Sequence, residues 1–219
     1  HAYWTANVKC WVRFCPAFFL ERSMTDSSKI APMQSDHLQR FIFDDVQVRG
    51  EWVHLNKTWQ DVITRRHYPA PIQRLLGQMM SAAALLAATV KMDGRLVLQT
   101  KSNGPVSVMM VECTSANTLR AFAQWDESET LADDADLMSL TGEGTLAITI
   151  EMNGTAKPYQ GIVSLAGESI AGLLETYFTQ SEQLETRVWL AADDKVTAGL
   201  LVQQLPAAER DEAEQEAWS

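Results

Sequence analysis

The sequence predicts an α+β fold, with antiparallel β-sheets packed against a few helices in a single large domain. Three observations carry that expectation. Strand-like and helical patterns come in segregated runs: strand, two helices, a run of strands, one helix, two strands. Several strand segments are joined by short turns rich in Gly, Asn and Asp, which suits antiparallel hairpins rather than a βαβ repeat. One helical segment is apolar on nearly every side through its second half, so it must be covered all round.

Regular patterning begins at Asp36. "VQVRGEWVHL" (Val46 to Leu55) is rich in β-branched and aromatic residues and reads as a strand, with Gly50 marking a bulge position. "NKTWQDVITRR" is a short helix with Asn56 or Thr58 as N-cap, ended by the prolines of "HYPAP". The next helix is expected from about Ala70 to Lys91, with Pro71 in its first turn and an apolar period through Ile72, Leu75, Leu76, Met79, Met80, Ala83 and Leu86. "RLVLQTKS", "VSVMMVEC" and "TLRAFAQW" form an antiparallel meander. An acidic connection follows, with six carboxylates from Asp126 to Asp136, and reads as a solvated loop because it lacks calcium-loop spacing. "TLAITIEM" and "PYQGIVSL" make a second strand pair around "NGTAK". "ESIAGLLETYFTQS" is an amphipathic helix with Ile170, Leu173, Leu174, Tyr177 and Phe178 on one face. "TRVWLAAD" and "TAGLLVQQL" are the last strands, and Pro206 ends the sheet.

Both ends differ from this middle. Residues 1–32 are dense in aromatics, carry two of the three cysteines and lack the uninterrupted apolar run of a secretory signal. They read as an extension upstream of a natural start at Met24 or Met33, or as a poorly ordered arm. The core is expected over residues 33–206. Residues 207–219 are polar and acidic and read as the start of a cut linker.

A net charge of −10 disfavours nucleic acid and anionic membrane surfaces as partners. The longest apolar stretch, Met79 to Val90, has 12 residues, whereas a membrane span needs roughly 20. Cys10, Cys15 and Cys113 have no C-x-x-C spacing and no His set, so neither a metal site nor a disulfide framework is expected. No H-E-x-x-H, nucleophile elbow or phosphate loop is present, and Glu51 and His54 point to opposite faces of their strand. The residues support no enzyme assignment; a small-molecule enzyme with an unrecognised site is the alternative.

Several stretches, in order, resemble one family, the redox-regulated 33-kDa chaperonins or heat shock protein 33. They are "DHLQRFIFDDVQVRGEWVHL", "HYPAPIQRLLGQMMSAAALLAATVKMDGRLVLQTKSNGPVSVMMVE", "LRAFAQW", "LMSLTGEGTLAITIE", "YQGIVSLAGESIAGLLETYFTQSEQLETRVWLA" and "AGLLVQQLP". The resemblance implies an ATP-independent holdase that binds unfolding proteins in the cytoplasm under oxidative and heat stress. It implies a homodimer, with domain swapping as one form. It also implies a C-terminal domain whose C-x-C and C-x-x-C cysteines hold zinc when reduced and form disulfides when oxidised. Cys10, Cys15 and Cys113 do not correspond to those ligands, so no zinc is expected in this chain.

Holding unfolded clients needs exposed apolar area. "VSVMMV" is apolar on both faces, with Val106, Val108 and Met110 on one side and Met109 and Val111 on the other. These five and Phe122 are the candidate client-binding residues. Core or dimer interface is the competing reading for each of them.

Overall fold

The computed structural model describes residues 8–10 (backbone only), 35–43, 46–90, 93–155, 157–167 and 169–205. These form ten strands and four α-helices. The strands are β1 (Val8–Cys10), β2 (His37–Phe43), β3 (Val48–Leu55), β4 (Gly94–Ser102), β5 (Val106–Thr114), β6 (Leu119–Trp125), β7 (Gly144–Met152), β8 (Tyr159–Ser164), β9 (Thr186–Ala192) and β10 (Thr197–Gln204). The helices are α1 (Lys57–Arg65), α2 (Ala70–Thr89), α3 (Leu137–Thr141) and α4 (Ile170–Tyr177), the last continued by a π-helical turn, Phe178–Glu182.

All strand pairing is antiparallel and falls into two five-stranded sheets. Sheet A runs β1-β2-β3-β10-β9, and sheet B runs β6-β5-β4-β7-β8. Helix α2 lies between them and touches strands of both. Its residues from Met79 to Leu86 are all buried, as its all-round apolar pattern requires. At Gly77 the helix approaches sheet A closely. A Cβ there would sit 2.6 Å from that of Ala192, and the Gly77 carbonyl accepts from the Thr197 hydroxyl at 2.6 Å.

Helix α4 buries Ile170, Leu173, Leu174 and Tyr177 against β8, β9 and α2, and Phe178 of the turn is buried with them. The expected apolar face is therefore present. Ser169 caps the helix through its Oγ, which accepts the Gly172 N–H at 3.1 Å.

Five details differ from expectation. Strand β2 was not anticipated, and β1 brings part of the 1–32 segment into sheet A; the rest of that segment lies outside the described residues. Gly50 is no bulge, since β3 pairs continuously with β2 and β10. Glycine is needed there because the Phe41 ring lies across it, with Cζ 2.3 Å from where a Cβ would be. Helix α1 takes its cap from neither Asn56 nor Thr58. The Asp36 carboxylate accepts the Asn56 N–H at 2.8 Å and the Thr58 N–H at 3.1 Å from outside the helix. The acidic connection also contains α3, capped by Asp136, whose carboxylate accepts the Ser139 N–H at 2.8 Å and is held below the ordinary carboxylate range by its bonds to Ser139.

Candidate functional site

Strand β5 is the centre of the site and is not read correctly by simple alternation. Its pairing with β6 shifts between Val106 and Val108. The extra residue, Ser107, turns Val106 to the same side as Met109, Val111 and Cys113. All four are buried in the core. Val106, Met109 and Val111 are therefore corrections: they pack beneath sheet B and present nothing to a partner in the folded chain. Val108 and Met110 face outward and are half-buried, and Phe122 faces outward at 40% exposure.

The register assembles these outward residues with others that are distant in sequence. Phe122 lies opposite Met110, Met110 opposite Gln99, Gln99 opposite Ala147, and Ala147 opposite Ile162. The result is one row across all five strands, apolar except at Gln99. Ile162 is 62% exposed, the highest value for a large apolar residue among the described residues. It was missed because "YQGIVSL" shows only that a strand is present, not that the even-numbered side faces water.

A charged border runs along one flank of the row. Glu112, itself buried, takes Arg120 at 2.5 Å on one oxygen and Arg95 at 3.2 Å on the other. Arg95 also reaches Glu151 at 2.7 Å. On the other flank stand Gln124, Val108, Lys101, Thr145 and Ser164.

Sheet A has its own outward apolar face. Trp52 lies opposite Leu200, and Leu200 opposite Trp189, which is 54% exposed. Phe41 and Phe43 meet edge to face with centroids 5.4 Å apart. The Trp52 Nε1 donates to Gln39 Oε1 at 3.2 Å, and His37 stacks on the Trp52 ring.

Chemistry that would support catalysis or metal binding is sparse. Among the described residues, no three His, Cys, Asp or Glu side chains converge. Burial, with the Glu112 carboxylate next to it, pushes the Cys113 thiol up to about 11. A protonated, buried, solitary thiol does not fit a zinc ligand set. On the inward side of sheet A, Glu51 sits near Arg40 and Arg49, and burial still holds its carboxyl above the ordinary value. Arg49 donates to Gln203 Oε1 at 2.9 Å, and Arg40 donates to the Ala88 carbonyl near the end of α2. This polar group binds strands to a helix terminus and lies away from the outward faces.

A family model described as Hsp33 protein matches residues 36–218. The chain belongs to the Hsp33 family. It is 50% identical over 187 residues to the 33 kDa chaperonin of Ectopseudomonas mendocina, covering 84% of this chain and 63% of that relative. It is 48% identical over 179 residues to the 33 kDa chaperonin of Azotobacter vinelandii, covering 82% and 60%. The chain thus spans about three fifths of the length of the Hsp33 relatives it matches. The crystal structure of a 33 kDa chaperonin from Thermotoga maritima shares the fold, with a TM-score of 0.67 at 24% identity, covering 76% of this chain and 60% of that one.

Proposed function

We propose that this Hsp33 chain is the core of a holdase chaperone that binds unfolding polypeptides without ATP and keeps them from aggregating. The observation that carries this reading is the outward row Phe122, Met110, Ala147 and Ile162 on sheet B. It is apolar, partly exposed and made in part of a flexible methionine that adapts to varied side chains. The surrounding charges keep the face wetted while no client is present. Stress conditions in the cytoplasm, oxidative and thermal, are the setting that the family suggests. The chain acts by binding and carries out no catalysis. Among the described residues, no helix is long and apolar enough to cross a membrane.

We also propose a homodimer. The broad aromatic face of sheet A supports it, since Trp189, Trp52 and Leu200 form an anchor of the kind that lasting interfaces bury. Sedimentation showing only monomer at tens of micromolar would count against the dimer.

The test of the holdase reading is light scattering from a thermally unfolding client, with no nucleotide present. The wild-type chain suppresses scattering, and a folded Met110→Asp, Phe122→Asp variant does not. Full suppression by that folded variant would remove sheet B from the account.

A further inference from the structure

The two sheets end in edges that are treated unequally. At β9, the Leu190–Val188–Thr186 set of backbone groups points away from β10, because Asp193 and Val196 form a hydrogen-bonded pair and the ladder alternates from there. The Glu175 carboxylate caps the middle of that edge by accepting the Val188 N–H at 2.8 Å. At β6, the Thr114–Thr118 bond sets the alternation so that the backbone groups of Leu119, Ala121 and Ala123 point away from β5, the last beside Arg66. The Arg66 guanidinium covers it, donating to the Ala123 carbonyl at 3.4 Å while lying 4.5 Å over the Trp125 ring.

The β8 edge is different. The Leu165 N–H donates to the Gly144 carbonyl at 3.0 Å, so Val163, Gly161 and Tyr159 turn their backbone groups toward β7. Gln160, Ile162 and Ser164 therefore turn theirs off the sheet. Among the described residues, no side chain bonds to them. "YQGIVS" has no charged residue, no proline and no bulge, the devices that usually blunt an edge. The side chains of the same three residues lie on the outward face, where Ile162 ends the apolar row.

We infer that the β8 edge takes an extended segment of an unfolding polypeptide as a sixth strand of sheet B. Main-chain bonds to Gln160, Ile162 and Ser164 give sequence-independent affinity, and apolar client side chains beside Ile162 lengthen the row past its β8 end, on the side away from Phe122. This rests on the holdase reading and specifies the form of its substrate: extended backbone with apolar residues at alternate positions. It also explains how unrelated sequences are accepted, because each carries the same backbone.

The experiment is amide hydrogen exchange on the full chain, with and without reduced, carboxymethylated lactalbumin as a permanently unfolded probe. The probe slows exchange at Gln160, Ile162 and Ser164 by about tenfold or more, with no such change at Val163. Gln160→Pro and Ser164→Pro remove outward N–H groups that β7 does not use, and folded variants lose suppression of client scattering. Ser164→Thr keeps the N–H and retains it. If the three amides are unmoved while wild type suppresses scattering and Phe122→Asp lowers it, the edge inference falls and the face reading stands. If wild type does not suppress scattering at all, the holdase reading falls and takes the inference with it. If the amides are already slow without probe and become slower with chain concentration, a second copy occupies the edge and the inference is wrong.

Discussion

The outward faces of sheets A and B flank the same buried helix and are built from the same alternation, yet they expose apolar surface in different ways. On sheet B it is concentrated in one row, with Gln99 inside it, single valines (Val97 and Val108) in the rows beside it and the Arg120–Glu112–Arg95–Glu151 chain along its flank. On sheet A the apolar residues fill adjacent rows and are mostly aromatic: Phe41, Trp52, Leu200, Val202 and Trp189. A narrow row bordered by charge tolerates water and releases partners readily. A broad aromatic face is better satisfied by a lasting partner. In the proposed reading, that difference sends transient clients to sheet B and a second copy of the chain to sheet A.

The largest effect expected separates the inside of sheet B from its outside at adjacent residues. Met109 is fully buried and Met110 is half-buried on the outward face. Met109→Ala should cost about 2–5 kcal/mol in chemical denaturation, whereas Met110→Ala should cost no more than about 0.5 kcal/mol. Equal losses would mean that β5 does not place these two neighbours on opposite faces of sheet B as described. On sheet A, Gly50→Ala pushes a methyl group into the Phe41 ring and close to the Leu201 carbonyl, 2.8 Å away. A loss of about 1–3 kcal/mol is expected, and a double variant with Phe41→Ala should recover part of it. No recovery would show that the backbone contact, not the ring, is limiting.

A smaller effect probes the inward side of sheet A. Burial raises the Glu51 carboxyl above 4.5 despite the opposing pull of Arg49 and Arg40 and a bond from Thr89. A carboxyl raised on folding favours the folded state while it is protonated, and that contribution is lost as pH rises through the folded value. Glu51→Gln should therefore gain in Tm relative to wild type as pH is raised from about 4 toward neutrality. A relative loss over that range would show that the ionised carboxylate is held by its arginines more strongly than burial opposes it.

The elements legible in the sequence were those fixed by local pattern. Helix α2, the β4-β5-β6 meander and the buried face of α4 all follow from periodicity and turn residues. What was not legible depends on partners far along the chain. The Asp36 cap on α1 is set by folding, because it reaches residues 20 and 22 positions away. Strand β2 was missed because its first half is largely wet on both sides, which blurs the alternation. Val106 was misplaced for a backbone reason: one extra residue at Ser107 reverses the side on which it falls, and no residue type in "PVSVMM" announces it. Met109 and Val111 were rightly put on a shared face, but a strand apolar on both sides does not say which side is inside. Ile162 and Trp189 became visible as surface residues only once register placed them beside Ala147 and Leu200.

The central claim is that clients bind the outward face of sheet B and not that of sheet A. It is tested most directly by measuring light scattering of one thermally unfolding client with two folded double variants, Met110→Asp with Phe122→Asp and Trp189→Asp with Leu200→Asp, each at equal chain concentration. The account predicts that the first pair abolishes protection while sedimentation still shows a dimer. The second pair should yield monomers that keep the unmodified sheet B face and still protect. Loss of protection only in the second pair, with the first fully active, would contradict it.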